Sequence, residues 1–170
     1  IMCRILNVYR PVKALSQIYV NGLTHVYSDS SRPVTALSNL NMQVERSDFV
    51  AVIGPSGGGK TTLLKLIAGL LKPTAGIVKI DGMSPVEAQR RRAIGCVFQD
   101  PSLLPWRTVL ENIALPLTIN REIEEQSGID PESLLEKVGL KQFRDHYPHE
   151  LSGGMKQRVA FARALVINPK

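Results

Sequence analysis

Apolar and polar positions change rhythm several times along the chain. Residues 18–26 are rich in β-branched types, and 37–44, LSNLNMQV, alternate apolar with polar, which predicts two half-buried strands joined by the loop SDSSRPV. Phe49–Ile53, FVAVI, is wholly apolar and bounded by Asp48 and Gly54, the pattern of a strand covered on both faces in a parallel sheet. Leu63, Leu64, Ile67, Ala68 and Leu71 then repeat at helical spacing, with Gly69 and Pro73 punctuating the end. GIVKI before Asp81-Gly82 and AIGCVF at 93–98 read as further strands. After Pro105 the rhythm turns helical: Thr108 with Glu111 fits a capping box, Asp130-Pro131 supplies an N-cap with proline at the first helical position, and Gly139 closes the helix so begun. Residues 106–150 therefore read as an inserted helical subdomain. Met155, Val159, Ala162 and Val166 mark the apolar stripe of a last helix.

Composition adds limits. With 170 residues, 44% of them hydrophobic, the chain can bury one sizeable core. Its two cysteines, Cys3 and Cys96, are far apart and lack any metal-ligand spacing, so neither a zinc site nor a disulfide framework is expected. The net charge of +6 suits an anionic ligand, but the basic residues are scattered, and the one run, Arg90-Arg91-Arg92, has no interleaved aromatics. A solvated face is the expectation there, and no nucleic-acid partner. No stretch reaches the roughly 18 to 20 apolar residues of a membrane span, and the first twenty residues lack the continuous apolar run of a signal peptide.

The chemistry sits between the first apolar run and the first helix. Gly54–Thr61, GPSGGGKT, is a G-x-x-x-x-G-K-[ST] phosphate loop in the strand-to-helix context that such a loop requires. Gly54, Gly57, Gly58 and Gly59 let the backbone turn its N–H groups inward, with Pro55 and Ser56 completing the turn, and no Cβ stands in the way of a phosphate. Lys60 reaches the β- and γ-phosphates, the Thr61 hydroxyl can ligate Mg²⁺, and Thr62 follows in the first helical turn, where the helix N-terminus favours an anion. At the other end of the chain, Ser152 is a good N-cap, and Gly153 and Gly154 leave backbone N–H groups uncovered, a second anion site on the tip of a packed helix.

Further motifs give these parts a context. GCVFQDPSLLPWRTVLENIALPL at 95–117 and HELSGGMKQRVAFARAL at 149–165 resemble the Q-loop and signature segments of ATP-binding cassette (ABC) ATPases, in the family's order after the phosphate loop. The resemblance covers residues 18–170 and leaves 1–17 unassigned. It implies an α/β, P-loop NTPase core with an N-terminal antiparallel β subdomain and an inserted helical subdomain, divided into a core at 18–105, the helical part at 106–150 and the signature helix at 151–170. It implies that Tyr27 stacks on adenine with Val34 packing nearby, that Gln99 reaches Mg²⁺ and the attacking water, and that Leu151, Ser152, Gly153, Gly154 and Met155 clamp the γ-phosphate of ATP held by the opposite subunit of a head-to-tail dimer. Many members have Gln where this chain has Met155; LSGGMKQ together with LLPW at 103–106 is similar to the nitrate, sulfonate and taurine importer branch.

As a member of that family, the chain is expected to be the ATP-binding subunit of an importer, peripheral at the cytoplasmic face of the inner membrane. Its partners would be transmembrane permease subunits and, indirectly, a solute-binding protein. The alternatives are a non-transport ABC ATPase of DNA repair or translation, or an inactive remnant; the short spacing from Gln99 to Leu151 leaves no room for the long coiled coil of repair members. The family continues after a segment like ALVINPK with an apolar strand ending in Asp-Glu, a D-loop and a switch histidine. None of these follows here, so the expectation is an incomplete cassette with no catalytic glutamate, whose longer parent hydrolyses Mg-ATP while these 170 residues alone do not.

Overall fold

A computed structural model describes residues 17–28, 32–119 and 129–169. The unassigned segment 1–17, Gln17 apart, lies outside the described residues, as do Cys3 and part of the expected helical subdomain at 120–128. The chain divides into two compact units at Arg91/Arg92.

In the first unit, β1 (Ile18–Tyr27) pairs antiparallel with β2 (Val34–Val44) on one side and with β3 (Ala75–Ile80) on the other. The register runs from Ile18 opposite Val44 to Tyr27 opposite Val34. A register shift between Val20 and Leu23, at Gly22 with φ 59°, resets the alternation so that both face inward, where they meet Leu37 of β2, Val78 of β3, and Leu63 and Leu66 of α1 (Lys60–Ile67). Burying each of these Leu or Val side chains is worth roughly 1.5–3 kcal/mol, so this small cluster fixes α1 to the sheet. A short helix, α2 (Pro85–Arg90), starts where the Ser84 hydroxyl accepts from Glu87 N at 3.2 Å.

The second unit is helical. It contains α3 (Val109–Ile119), α4 (Pro131–Lys137) and α5 (Gly153–Leu165), with 3₁₀ turns at Lys141–Phe143 and Pro148–Glu150. Their shared core holds Val109, Ile113 and Leu117 of α3, Leu134 and Leu135 of α4, Leu140 and Leu151 from the connections, and Val159, Ala162 and Val166 from α5 and its end. Helix starts follow the expected chemistry. Thr108 Oγ1 accepts from Glu111 N at 3.2 Å while Glu111 accepts from Thr108 N at 2.8 Å, and Asp130 accepts from Ser133 N at 2.8 Å.

Two expected strands are corrected. Neither 49–53 nor 93–98 belongs to a strand, and the sheet among the described residues is antiparallel, with no parallel pair. An apolar, β-branched run becomes a strand only when another strand lies beside it. None does among the described residues, and the faces that 49–53 would bury stay open: Phe49 is 96% and Ile53 82% exposed, with only Val52 packed against the first core.

Candidate functional site

In the phosphate loop, sequence dictates geometry through two glycines. Gly57 and Gly59 sit at φ 74° and 81°, where L-residues are strained. At Gly59 there is a second reason: a Cβ would overlap the Ala36 carbonyl oxygen and press on the Leu37 side chain. Strand β2 thus forms the floor of the loop and admits only glycine. A turn bond from Gly58 N to Pro55 O at 3.1 Å closes the loop, and Gly59 O accepts from Leu63 N at 2.8 Å to start α1.

The start of α1 suits an anion. Gly59 offers no side-chain cap, the first turn carries no acidic residue, and Lys60 and Thr61 stand partly or fully open to solvent. The Lys60 ammonium donates to Gly54 O at 2.8 Å and Pro55 O at 2.6 Å, and among the described residues no carboxylate pairs with it. Its charge is therefore placed but not neutralised. Loop N–H groups, an ammonium and a Thr61 hydroxyl are the donors and ligand that a magnesium-bound polyphosphate requires, and the glycine floor leaves room for one.

Tyr27 and Val34 come to this loop together. They face each other at the end of the β1–β2 ladder, and the Tyr27 hydroxyl lies 3.1 Å from Thr62 Oγ1 in the first turn of α1. His25 packs its ring edge-on to Tyr27 at 4.6 Å, with Nδ1 3.1 Å from the Lys72 carbonyl oxygen. Val34 is 56% and Tyr27 37% exposed, so an apolar and aromatic surface remains beside the loop.

In the second unit the structure joins the other two predicted segments. The Ser152 hydroxyl caps α5 by accepting from Met155 N at 3.3 Å, Leu151 and Val159 are buried in the core, and Met155 packs against its edge. Gly153 and Gly154 are exposed, and a Cβ at either would meet no atom within 4 Å. Gln99 lies in a loop whose backbone is held by this same helix: Gln157 Nε2 donates to Gln99 O at 2.6 Å, and the Arg163 guanidinium donates to Ser102 O at 2.9 Å and Pro101 O at 2.5 Å. Half-burial among apolar neighbours pushes the Arg163 pKa down from the ordinary guanidinium value. Among the described residues no cluster of His, Cys, Asp or Glu could hold a metal by itself, and no helix is long and apolar enough to cross a membrane.

Three residues at this site escaped the sequence reading: Gln157, Arg163 and Asn112. Asn112 is fully buried in α3, where Oδ1 accepts from Leu104 N at 2.8 Å and Nδ2 donates to the carbonyls of Leu104, Arg107 and Thr108 at 2.9–3.1 Å. It shapes the chain leaving the Gln99 loop. The available signal was its place on the apolar face between Val109 and Ile113, where an asparagine needs partners.

A family model described as ABC transporter matches residues 37–170. The chain belongs to the ABC transporter family. Among relatives, it is 43% identical over 151 residues to the nitrate import ATP-binding protein NrtD of Synechocystis sp., covering 89% of this chain and 56% of the relative. It is 44% identical over 155 residues to the lipoprotein-releasing system ATP-binding protein LolD of Chromohalobacter salexigens, covering 87% and 65%. Both relatives are thus matched over less than two thirds of their length. Among solved structures, an ATP-binding cassette, MJ0796, described as a dimer in a post-hydrolysis state bound to ADP and Pi, superposes with a TM-score of 0.78 at 36% identity, covering 89% of this chain and 70% of that one. The P-loop NTPase cassette expected from the motifs is therefore the fold, present in part.

Proposed function

We propose that this chain is the nucleotide-binding part of an importer's ATPase subunit, holding ATP on Gly54–Thr62 and offering Leu151–Met155 to the ATP of a second subunit. The observation that carries the reading is an ammonium with no carboxylate partner among the described residues, beside a helix start that has no side-chain cap and no acidic residue in its first turn. Phosphate arrival lets Lys60 exchange two carbonyl oxygens for charged ones, a stronger class of hydrogen bond. Backbone N–H groups of the loop and of the first turn of α1 bind the phosphates, and the Tyr27 ring, steadied by His25 and Thr62, is the platform for adenine. The Thr61 hydroxyl would hold Mg²⁺, whose chemistry there is to neutralise phosphate charge. Gln99 is the residue through which nucleotide state passes to the transmembrane subunits.

The partners in this reading are a second ABC ATPase subunit, a permease, and indirectly a solute-binding protein, with the chain at the cytoplasmic face of the inner membrane. A nitrate, sulfonate or taurine type of solute is supported by the LLPW and LSGGMKQ segments and by the nitrate-import relative. A lipoprotein-releasing relative at similar identity argues that the solute is chosen by the permease rather than by these residues. The test is equilibrium binding of a fluorescent ATP analogue to wild type and Lys60→Ala. Loss of charge-assisted contacts worth about 1.5–3 kcal/mol predicts a roughly tenfold or greater rise in Kd with unchanged folding; equal affinities would overturn the reading.

A further inference from the structure

The loop at 99–102 and helix α5 are far apart in sequence yet joined by three hydrogen bonds, from Gln157 to Gln99 O and from Arg163 to Pro101 O and Ser102 O. The geometry of the attachment is specific. Gln157 and Arg163 are six positions apart on a helix rising 1.5 Å per residue, about 9 Å along its axis. Three residue steps from Gln99 to Ser102 span at most roughly 10 Å. The loop is therefore held near both its ends by α5, through two side chains that leave the helix about 120° apart around its axis.

The loop is also set internally. Asp100 Oδ1 accepts from Ser102 N at 2.7 Å, and Ser102 sits at φ 46°, a left-handed conformation that costs a serine on the order of 1 kcal/mol and persists only where the surroundings impose it. The Asp100 carboxylate holds the turn from within, and Arg163 holds its two carbonyls from α5. Among the described residues no carboxylate lies within ion-pair distance of Arg163, and its planar fork is spent on two neighbouring carbonyls, one from each terminal nitrogen, a spacing that the single ammonium of a lysine does not reproduce. Gln157 lies one turn from Gly153 and Gly154, so the helix that carries the open glycine tip is the helix that carries the loop.

We propose that Gln157 and Arg163 are positioning residues that lock the Gln99 loop to helix α5, so that the glycine tip and Gln99 shift as one body when nucleotide engages either of them. This rests on the functional reading above. Coupling of this kind needs an element whose arrangement both segments bias, and a helix bonded at both ends of a strained loop is such an element.

Hydrogen exchange on the chain tests the lock directly. In Gln157→Ala and Arg163→Ala, exchange of the Ser102 amide should rise at least tenfold while residues 113–115 and 162–166 keep their protection. Unchanged exchange at Ser102 in both variants would overturn the lock. Should Arg163→Ala lose protection throughout, the partly exposed Gln157→Ala carries the test alone. The functional arm uses ATP turnover by the ATPase subunit containing this chain. Gln157→Ala should lower kcat about tenfold with KM unchanged, and Arg163→Lys should fall between wild type and Arg163→Ala. A raised KM with unchanged kcat, or no change at all, contradicts the proposal. Lys60→Ala with normal turnover would instead refute the functional reading, so the two failures are distinct.

Discussion

Two groups of glycines sit at the two ends proposed to bind anions, and they are glycines for opposite reasons. Gly59 is required from within: its φ of 81° and the Ala36 carbonyl beside it exclude any side chain, whatever the loop binds. Gly153 and Gly154 are required by nothing among the described residues, because a methyl group on either would project into open space. Glycine within a helix is destabilising by roughly 0.5–1 kcal/mol relative to alanine, so a reason for two in a row has to come from outside. A phosphate-bearing surface of another subunit, approaching the bare N-terminus of α5, supplies one.

The largest effect that probes this contrast is Gly59→Ala. Strain at positive φ plus the overlap with Ala36 should cost about 3 kcal/mol or more, lowering the urea midpoint of the first unit and abolishing binding of the ATP analogue together. Stability near wild type would show that β2 does not form the floor of the loop. Next comes Asn112→Ala in the second unit, which leaves the part-buried Leu104 N–H and the Arg107 carbonyl without the Asn112 side chain, while the Leu104 and Thr108 carbonyls keep their backbone donors. A loss of about 2–3 kcal/mol should follow by chemical denaturation, with ATP-analogue affinity retained. The smallest effect has the opposite sign: Gly154→Ala should stabilise the chain by up to about 1 kcal/mol, since α5 gains a better helix former and nothing is crowded. Destabilisation there would mean that the tip packs against this chain after all.

How much of this was legible in the sequence depended on whether the determining partner was local. The phosphate loop, the Thr108, Asp130 and Ser152 caps, the stripe of α5 and strands β1, β2 and β3 all follow from residues a few positions apart, and each is present. The runs at 49–53 and 93–98 have the right composition for strands, but strand formation depends on a neighbour, which periodicity cannot report. Gln157 and Arg163 were opaque for a related reason. Their partners are backbone carbonyls, which leave no mark in the residue types around them, whereas Asn112 was marked only by its place on an apolar helix face. Tyr27 and Val34 illustrate the intermediate case: resemblance placed them near the loop, and the β1–β2 register supplies the physical cause.

The division of labour between the two glycine groups predicts complementation. In the proposed arrangement Lys60→Ala damages the cradle a subunit keeps for itself, and Gly154→Asp damages the tip it lends. ATP-dependent dimerisation, followed by sedimentation, should therefore be lost in each variant alone and return in an equimolar mixture, where a mixed pair holds one complete site. Failure of the mixture to dimerise while wild type does, or ATP-dependent dimers of Gly154→Asp alone, would contradict the assignment of the two anion sites to different subunits.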